Sequence, residues 1–122
     1  MNKQPQVMQQ SLHLSETIEE GVLHIQSQLK IGELAETFYL FEDVVQAFAS
    51  IETAVEGLDE GFDSASVQTE TNKLRQTISL VVDQYEANNI GKVQEILQFS
   101  IVPAVKRWRT EMENAFHPHI LN

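Results

Sequence analysis

Apolar residues recur every three to four positions through most of the chain, in four stretches separated by short polar or glycine-containing breaks. That period matches the α-helix, where positions three and four apart share a face. The first stretch, about residues 6–30, places Val7, Leu14, Ile18, Val22, Ile25 and Leu29 on one stripe. The second, about 33–58, carries Leu34, Phe38, Phe41, Val44, Val45, Phe48, Ile51 and Val55, with Tyr39, Glu42, Asp43, Gln46 and Ser50 on the outer side. It is expected to be the most aromatic and most deeply buried helix. The third, about 66–87, buries Val67, Leu74, Ile78, Val81, Val82 and Tyr85. The fourth, about 90–116, turns Ile90, Val93, Leu97, Ile101, Ala104, Trp108, Met112 and Ala115 inward.

The breaks carry stop and start chemistry. Gly32 ends the first helix and Asn88-Asn89 the third. Leu58 to Ala65 is a loop rich in turn residues, and Ser64 or Ser66 is placed to cap the third helix. Strand-like alternation and hairpin turns are missing from the pattern. Long helices on short connections favour antiparallel neighbours, so the prediction is an all-α, antiparallel up-down four-helix bundle in one domain, residues 1–122.

Composition narrows the function classes. With no cysteine among 122 residues, disulfides, thiolate nucleophiles and cysteine-held zinc or iron–sulfur sites are excluded. Neither a secretion signal nor an apolar run of membrane-spanning length is visible, so the expected location is the cytoplasm, without membrane association. The formal net charge of −10 argues against nucleic acid as a partner. That charge is uneven. Thirteen of the eighteen acids and a single base, Lys30, lie between Glu16 and Glu70, whereas six of the eight bases lie between Lys73 and Arg109. The plain reading is a solvated acidic surface; the sharper one is a dipolar molecule suited to a basic partner or to head-to-tail pairing.

Candidate chemistry is sparse. Di-metal carboxylate bundles use Glu-x-x-His pairs, and no Glu here has a His three residues on. His13, Glu16, Glu20 and His24 form a row on the first helix, but opposite its apolar stripe, as a solvated polar face would be. His24 has the flavour of a phosphotransfer histidine, but Leu29 and Lys30 follow at the wrong spacing. His117-Pro118-His119 reads as an incidental pair in a terminal segment. No phosphate-binding glycine loop or nucleophile elbow is present. Neither a cofactor nor a metal is expected, and no catalytic residue is assigned.

The fourth helix departs from plain bundle rules. Pro103 lies in its interior, where it removes a hydrogen bond and crowds the preceding turn; its position away from the buried stripe would let the freed Phe99 carbonyl be hydrated and the helix bend. Ile96, Phe99 and Val102 lie off the main stripe, and Lys106-Arg107-Trp108-Arg109 is the densest basic cluster in the chain. Phe99, Val102, Pro103, Lys106 and Arg109 are therefore expected to form an apolar patch with a basic rim, a surface for a protein partner or a second copy.

The stretch Val93-Gln94-Glu95-Ile96-Leu97-Gln98-Phe99-Ser100-Ile101-Val102-Pro103-Ala104-Val105-Lys106-Arg107-Trp108 resembles the last helix of small, largely uncharacterised bacterial helical proteins, which reads approximately V-x-D-L-L-E-Y-E-L-x-P-x-L-x-x-W. Pro103 and Trp108 fall in register, as do Ile96, Leu97, Ile101, Val105 and the aromatic Phe99. Gln98 and Ser100 replace two carboxylates of that pattern, and Glu95 replaces its aspartate. The resemblance covers about sixteen residues and implies a bacterial cytoplasmic protein, with no activity attached. The functional expectation is a non-enzymatic interaction module with an adaptor or assembly role. An export chaperone of flagellar type, and a metal-binding or enzymatic bundle, are the alternatives.

Overall fold

The computed structural model describes residues 3–32, 34–58 and 65–120. Its helices are α1 (Gln4–Lys30), α2 (Leu34–Glu56), α3 (Ala65–Glu86) and a long fourth helix, α4. This last runs as Ile90–Ile96, a π-helical turn Leu97–Ile101, and Val102–Ile120. The described residues contain no strand. The protein is an all-α four-helix bundle with antiparallel neighbours.

Local chemistry sets most helix ends. Pro5 sits in the first turn of α1, where its missing N–H costs nothing. Gly32 adopts φ 86° beyond Lys30, a left-handed conformation that a Cβ would oppose. Asn88 plays the same part after α3 with φ 56°; its N–H donates to Tyr85 O at 3.0 Å and that of Asn89 to Gln84 O at 2.9 Å. This pair of bonds is the Schellman closure of a helix C-terminus. The Asn89 side chain then accepts from Lys92 N at 3.2 Å and caps α4. Of the serines proposed as caps for α3, Ser66 lies inside the first turn, because the helix already begins at Ala65. Ser64 and the rest of loop 59–64 lie outside the described residues, as do Glu33 and the Leu34 side chain.

The core is one apolar cluster with Trp108, Phe41, Phe116, Met8, Ile25 and Leu74 among its largest members. All four predicted stripes are shifted in detail, α3 only at Val82, which is half-buried. In α1 the buried row is Met8, Ser11, Ser15, Ile18, Val22, Ile25 and Leu29, while Val7 and Leu14 are only half-buried. Serine is small enough to let α4 approach here, and its hydroxyl bonds locally, Ser15 Oγ donating to Leu12 O at 2.6 Å. In α2, Thr37 joins Phe41, Val44, Phe48 and Ile51 inside, while Phe38, Val45 and Val55 remain half-exposed. The helix expected to be most deeply buried, α2, is accordingly no more buried than α1 or α4. The inner face of α4 includes Val105 and Phe116 in place of Ile90 and Ala115.

Helix pairing is unequal. Close pairings join α1 with α2, α1 with α4, and α3 with α4. At Gly21 the α1 backbone comes so near α2 that an added Cβ would lie 3.3 Å from Val44 Cγ2. Between α2 and α3, close backbone approach is sparse, and the two helices are joined mainly by side chains.

Candidate functional site

The π-helical turn explains how α4 holds a proline in its interior. Val102 N–H donates to Leu97 O, one residue further back than in an α-helix. The widened turn meets Pro103 where a standard ladder would demand an N–H that proline lacks. It also rephases the helix. Val93, Leu97, Ile101 and Val105 are spaced by four, a row that would drift around a straight α-helix, yet all four are buried. The chain folds to keep this row inward, and the extra residue per turn goes to the outer side.

Phe99 is on that outer side and is 70% exposed, one of the most exposed large apolar residues described. Val102 and Pro103 beside it are half-buried, and Lys106 is exposed with no acidic partner among the described residues. Arg109 does not stand with Lys106 as a free rim. It turns toward α1, where Nε donates to Ser15 Oγ at 3.2 Å, Nη1 binds Glu19, and Nη2 lies 3.6 Å from Glu113. Arg107 turns the other way, toward α3, with Nε 3.6 Å from Glu70 Oε2. Consecutive helical residues point about 100° apart, which turns Arg107 away from Lys106 and Trp108 into the core. Arg109 returns to the side of Lys106, and its bonds to α1 draw its side chain off it.

The second feature is the α2–α3 seam, which sequence reasoning did not find. Three hollows open along it. One of about 300 Å³ lies among Val55, Leu58, Val67 and Thr71. One of about 260 Å³ lies among Val45, Phe48, Ala49, Ile78 and Val82. The third, about 330 Å³, lies among Ala35, Phe38, Tyr39 and Tyr85. Arg75 separates the first two: its Nε donates to Glu52 Oε2 at 2.8 Å, and Nη2 binds the same carboxylate. That hydrogen bond raises the guanidinium above its ordinary value, so the cross-helix strap stays charged. At the other end Tyr85 Oη donates to Thr37 Oγ1 at 3.2 Å, and the Tyr85 ring packs edge-on to Phe38 at 5.5 Å. Burial pushes the Tyr85 phenol above its ordinary value, partly opposed by the bond to Thr37.

His13, Glu16, Glu20 and His24 are all exposed, and no three His, Asp or Glu side chains among the described residues come together as a metal site would require. No described helix is long and apolar enough to cross a membrane.

Residues 6–111 match the family described as a domain of unknown function, DUF8042. The chain belongs to that family. No curated protein and no solved structure matches it. The DUF8042 match runs through α1, α2, α3, the π-helical turn and Trp108, so both Phe99 and the α2–α3 seam fall inside it.

Proposed function

We propose that this protein is a non-enzymatic interaction module of the cytoplasm, with an adaptor or assembly role, that contacts a protein partner or a second copy through the outer face of α4. The observation that supports this reading is Phe99. A phenylalanine held 70% exposed on the π-helical turn, next to half-buried Val102 and Pro103, loses apolar exposure only when something covers it. Lys106, the unpaired base beside this patch, supplies a charged rim. The polar side chains inside the bundle point the same way. Ser15, Thr37 and Thr71 are engaged in hydrogen bonds that tie helices or turns together instead of converging on a reaction site.

The test is equilibrium sedimentation together with co-purification from native cells, comparing the native chain with a Phe99→Glu, Val102→Glu double variant. The native chain is expected to self-associate or to retain a partner, and the variant to lose that association with unchanged helical content. A monomer that retains the same bound proteins after both substitutions overturns the proposal.

A further inference from the structure

We infer that the α2–α3 seam is a second docking surface, distinct from the face of α4, and that it receives an amphipathic helix whose polar flanks are rich in lysine or arginine. A regular bundle closes each seam by ridge-into-groove packing at 8–10 Å between axes. Here α1 and α4 make that contact with their neighbours, while α2 and α3 are spanned mainly by side chains. The result is a furrow about 30 Å long, from the 1.5 Å rise of its helical walls, with hollows beside Val55, Phe48 and Phe38. Along α2 these positions are separated by about two and then three turns. Apolar side chains projecting from one face of a helix at such intervals fit the hollows, the helix-in-groove mode of recognition. An extended peptide finds nothing comparable, because both walls are helices whose backbone groups are already paired.

Charge selects the occupant. Glu56 and the Arg75-bound Glu52 line the furrow from α2, Asp83 and Glu86 line it from α3, and Arg75 is the only base among these lining residues. An acidic rim over an apolar floor complements a helix with an apolar stripe and cationic flanks. A second copy of this chain is a poor occupant. Its Lys73, Arg75, Lys92, Arg107 and Arg109 each face an acid of their own molecule. Among the described residues α1 and α4 therefore offer one unpaired base each, Lys30 and Lys106, and neither helix carries a row of cationic flanks. The Arg75–Glu52 strap crosses the furrow at its middle and has to swing aside when a helix enters. Arg75 is half-exposed, so this rearrangement stays at the surface.

The probe is a synthetic peptide of about 20 residues, long enough to span 30 Å as a helix, with leucines on one face and lysines on its flanks. Its partner in the test is a peptide of the same pattern with glutamates for the lysines. Binding to the full chain is followed by calorimetry, and by amide chemical shifts in the labelled protein. The lysine peptide is expected to bind one-to-one with shifts confined to α2 and α3, and the glutamate peptide not to bind. Ala49→Trp and Ser79→Trp each place bulk over the middle hollow from an exposed position, so the core is spared, and each is expected to weaken binding roughly tenfold or more, about 1.4 kcal/mol. Arg75→Ala frees Glu52 and is expected to tighten it. Phe99→Glu is expected to leave it unchanged, which separates this surface from the α4 face. Binding that survives both tryptophan substitutions, or shifts centred on the exposed Glu16 and Glu20 row of α1, overturns the inference. So does the absence of saturable binding by the lysine peptide.

Discussion

The indole Nε1–H of Trp108 donates to Thr71 Oγ1 at 3.1 Å, and the same hydroxyl donates to Val67 O at 2.7 Å. One hydroxyl thus completes the polar requirement of the largest buried side chain and a carbonyl of α3, while the indole packs on Phe48 at 5.2 Å between centroids. Thr71→Val keeps the shape and removes both roles. The indole N–H is then left unpaired in the core, at a cost of about 1–3 kcal/mol. Urea unfolding followed by Trp108 fluorescence reads this loss directly, and a midpoint unchanged from the native chain would show that the bond contributes nothing net. Trp108→Phe alongside Thr71→Val removes the orphaned donor and is expected to cost less than the two single changes combined.

Tyr85 couples stability to alkaline pH. Its phenol is held above the ordinary value of 10.0 by burial, with the bond to Thr37 acting in the opposite direction. From about pH 10 upward, therefore, the folded chain keeps a proton that the unfolded chain releases. Unfolding gains from each rise in pH, and stability falls through the folded value. Tyr85→Phe removes this loss. The expected result is a difference in stability between native and variant that favours the native chain near neutrality, by about 1 kcal/mol for one hydrogen bond, and narrows or inverts above pH 10. Parallel curves for the two proteins across pH 8 to 11, roughly the range spanning an ordinary tyrosine, would contradict it.

The bundle itself was legible because burial follows periodicity: Ile18, Val22, Ile25 and Leu29, or Ile101, Ala104, Trp108 and Met112, leave little choice of inner face. Ser11 and Ser15 escaped because hydropathy does not mark serine as a core residue. The row leading back from Ile18 at three- and four-residue steps nevertheless passes through both, and through Met8. The π-helical turn also left a trace, the four-residue spacing of Val93, Leu97, Ile101 and Val105, which drifts about 40° per step in a straight helix. That Arg107 leaves the side of Lys106 follows from helix geometry alone, but the turn of Arg109 toward Ser15 and Glu19, and of Arg107 toward Glu70, is set by which helices become neighbours. The open α2–α3 seam had no local signature. It depends on how closely two helices approach, and that distance is fixed jointly by all four.

The π-helical turn makes a counter-intuitive prediction for Pro103. In a regular helix interior, proline costs about 3 kcal/mol and its removal stabilises by a similar amount. Here the buried row Val93, Leu97, Ile101 and Val105 runs through the wide turn and gains from it apart from residue 103. Pro103→Ala is expected to change stability by no more than about 1 kcal/mol, with the turn retained. Amide exchange separates the cases: slow exchange throughout 97–105 with a gain near 3 kcal/mol would mean that the proline, and not the core row, imposes the turn.

Arg109 distinguishes a structural from a recognition role within α4. Its guanidinium reaches Ser15 and Glu19 across the α1–α4 interface, with both charged side chains about one-fifth exposed. Arg109→Met preserves length and apolar packing but leaves the Glu19 carboxylate without its cation in a partly desolvated site. The expected cost is about 1.5–3 kcal/mol, the range for hydrogen bonds to charged groups. Arg109→Lys is expected to restore only part of it, because an ammonium does not reproduce a planar fork that serves a hydroxyl and a carboxylate together. In a double-mutant cycle with Glu19→Gln, coupling above about 0.5 kcal/mol marks the pair as structural. Association through Phe99 should then be indifferent to Arg109→Met at temperatures where the variant is folded, whereas Lys106→Glu should weaken it. The opposite pattern, with unchanged stability and lost association, would return Arg109 to the contact surface and leave Glu19 as an incidental neighbour.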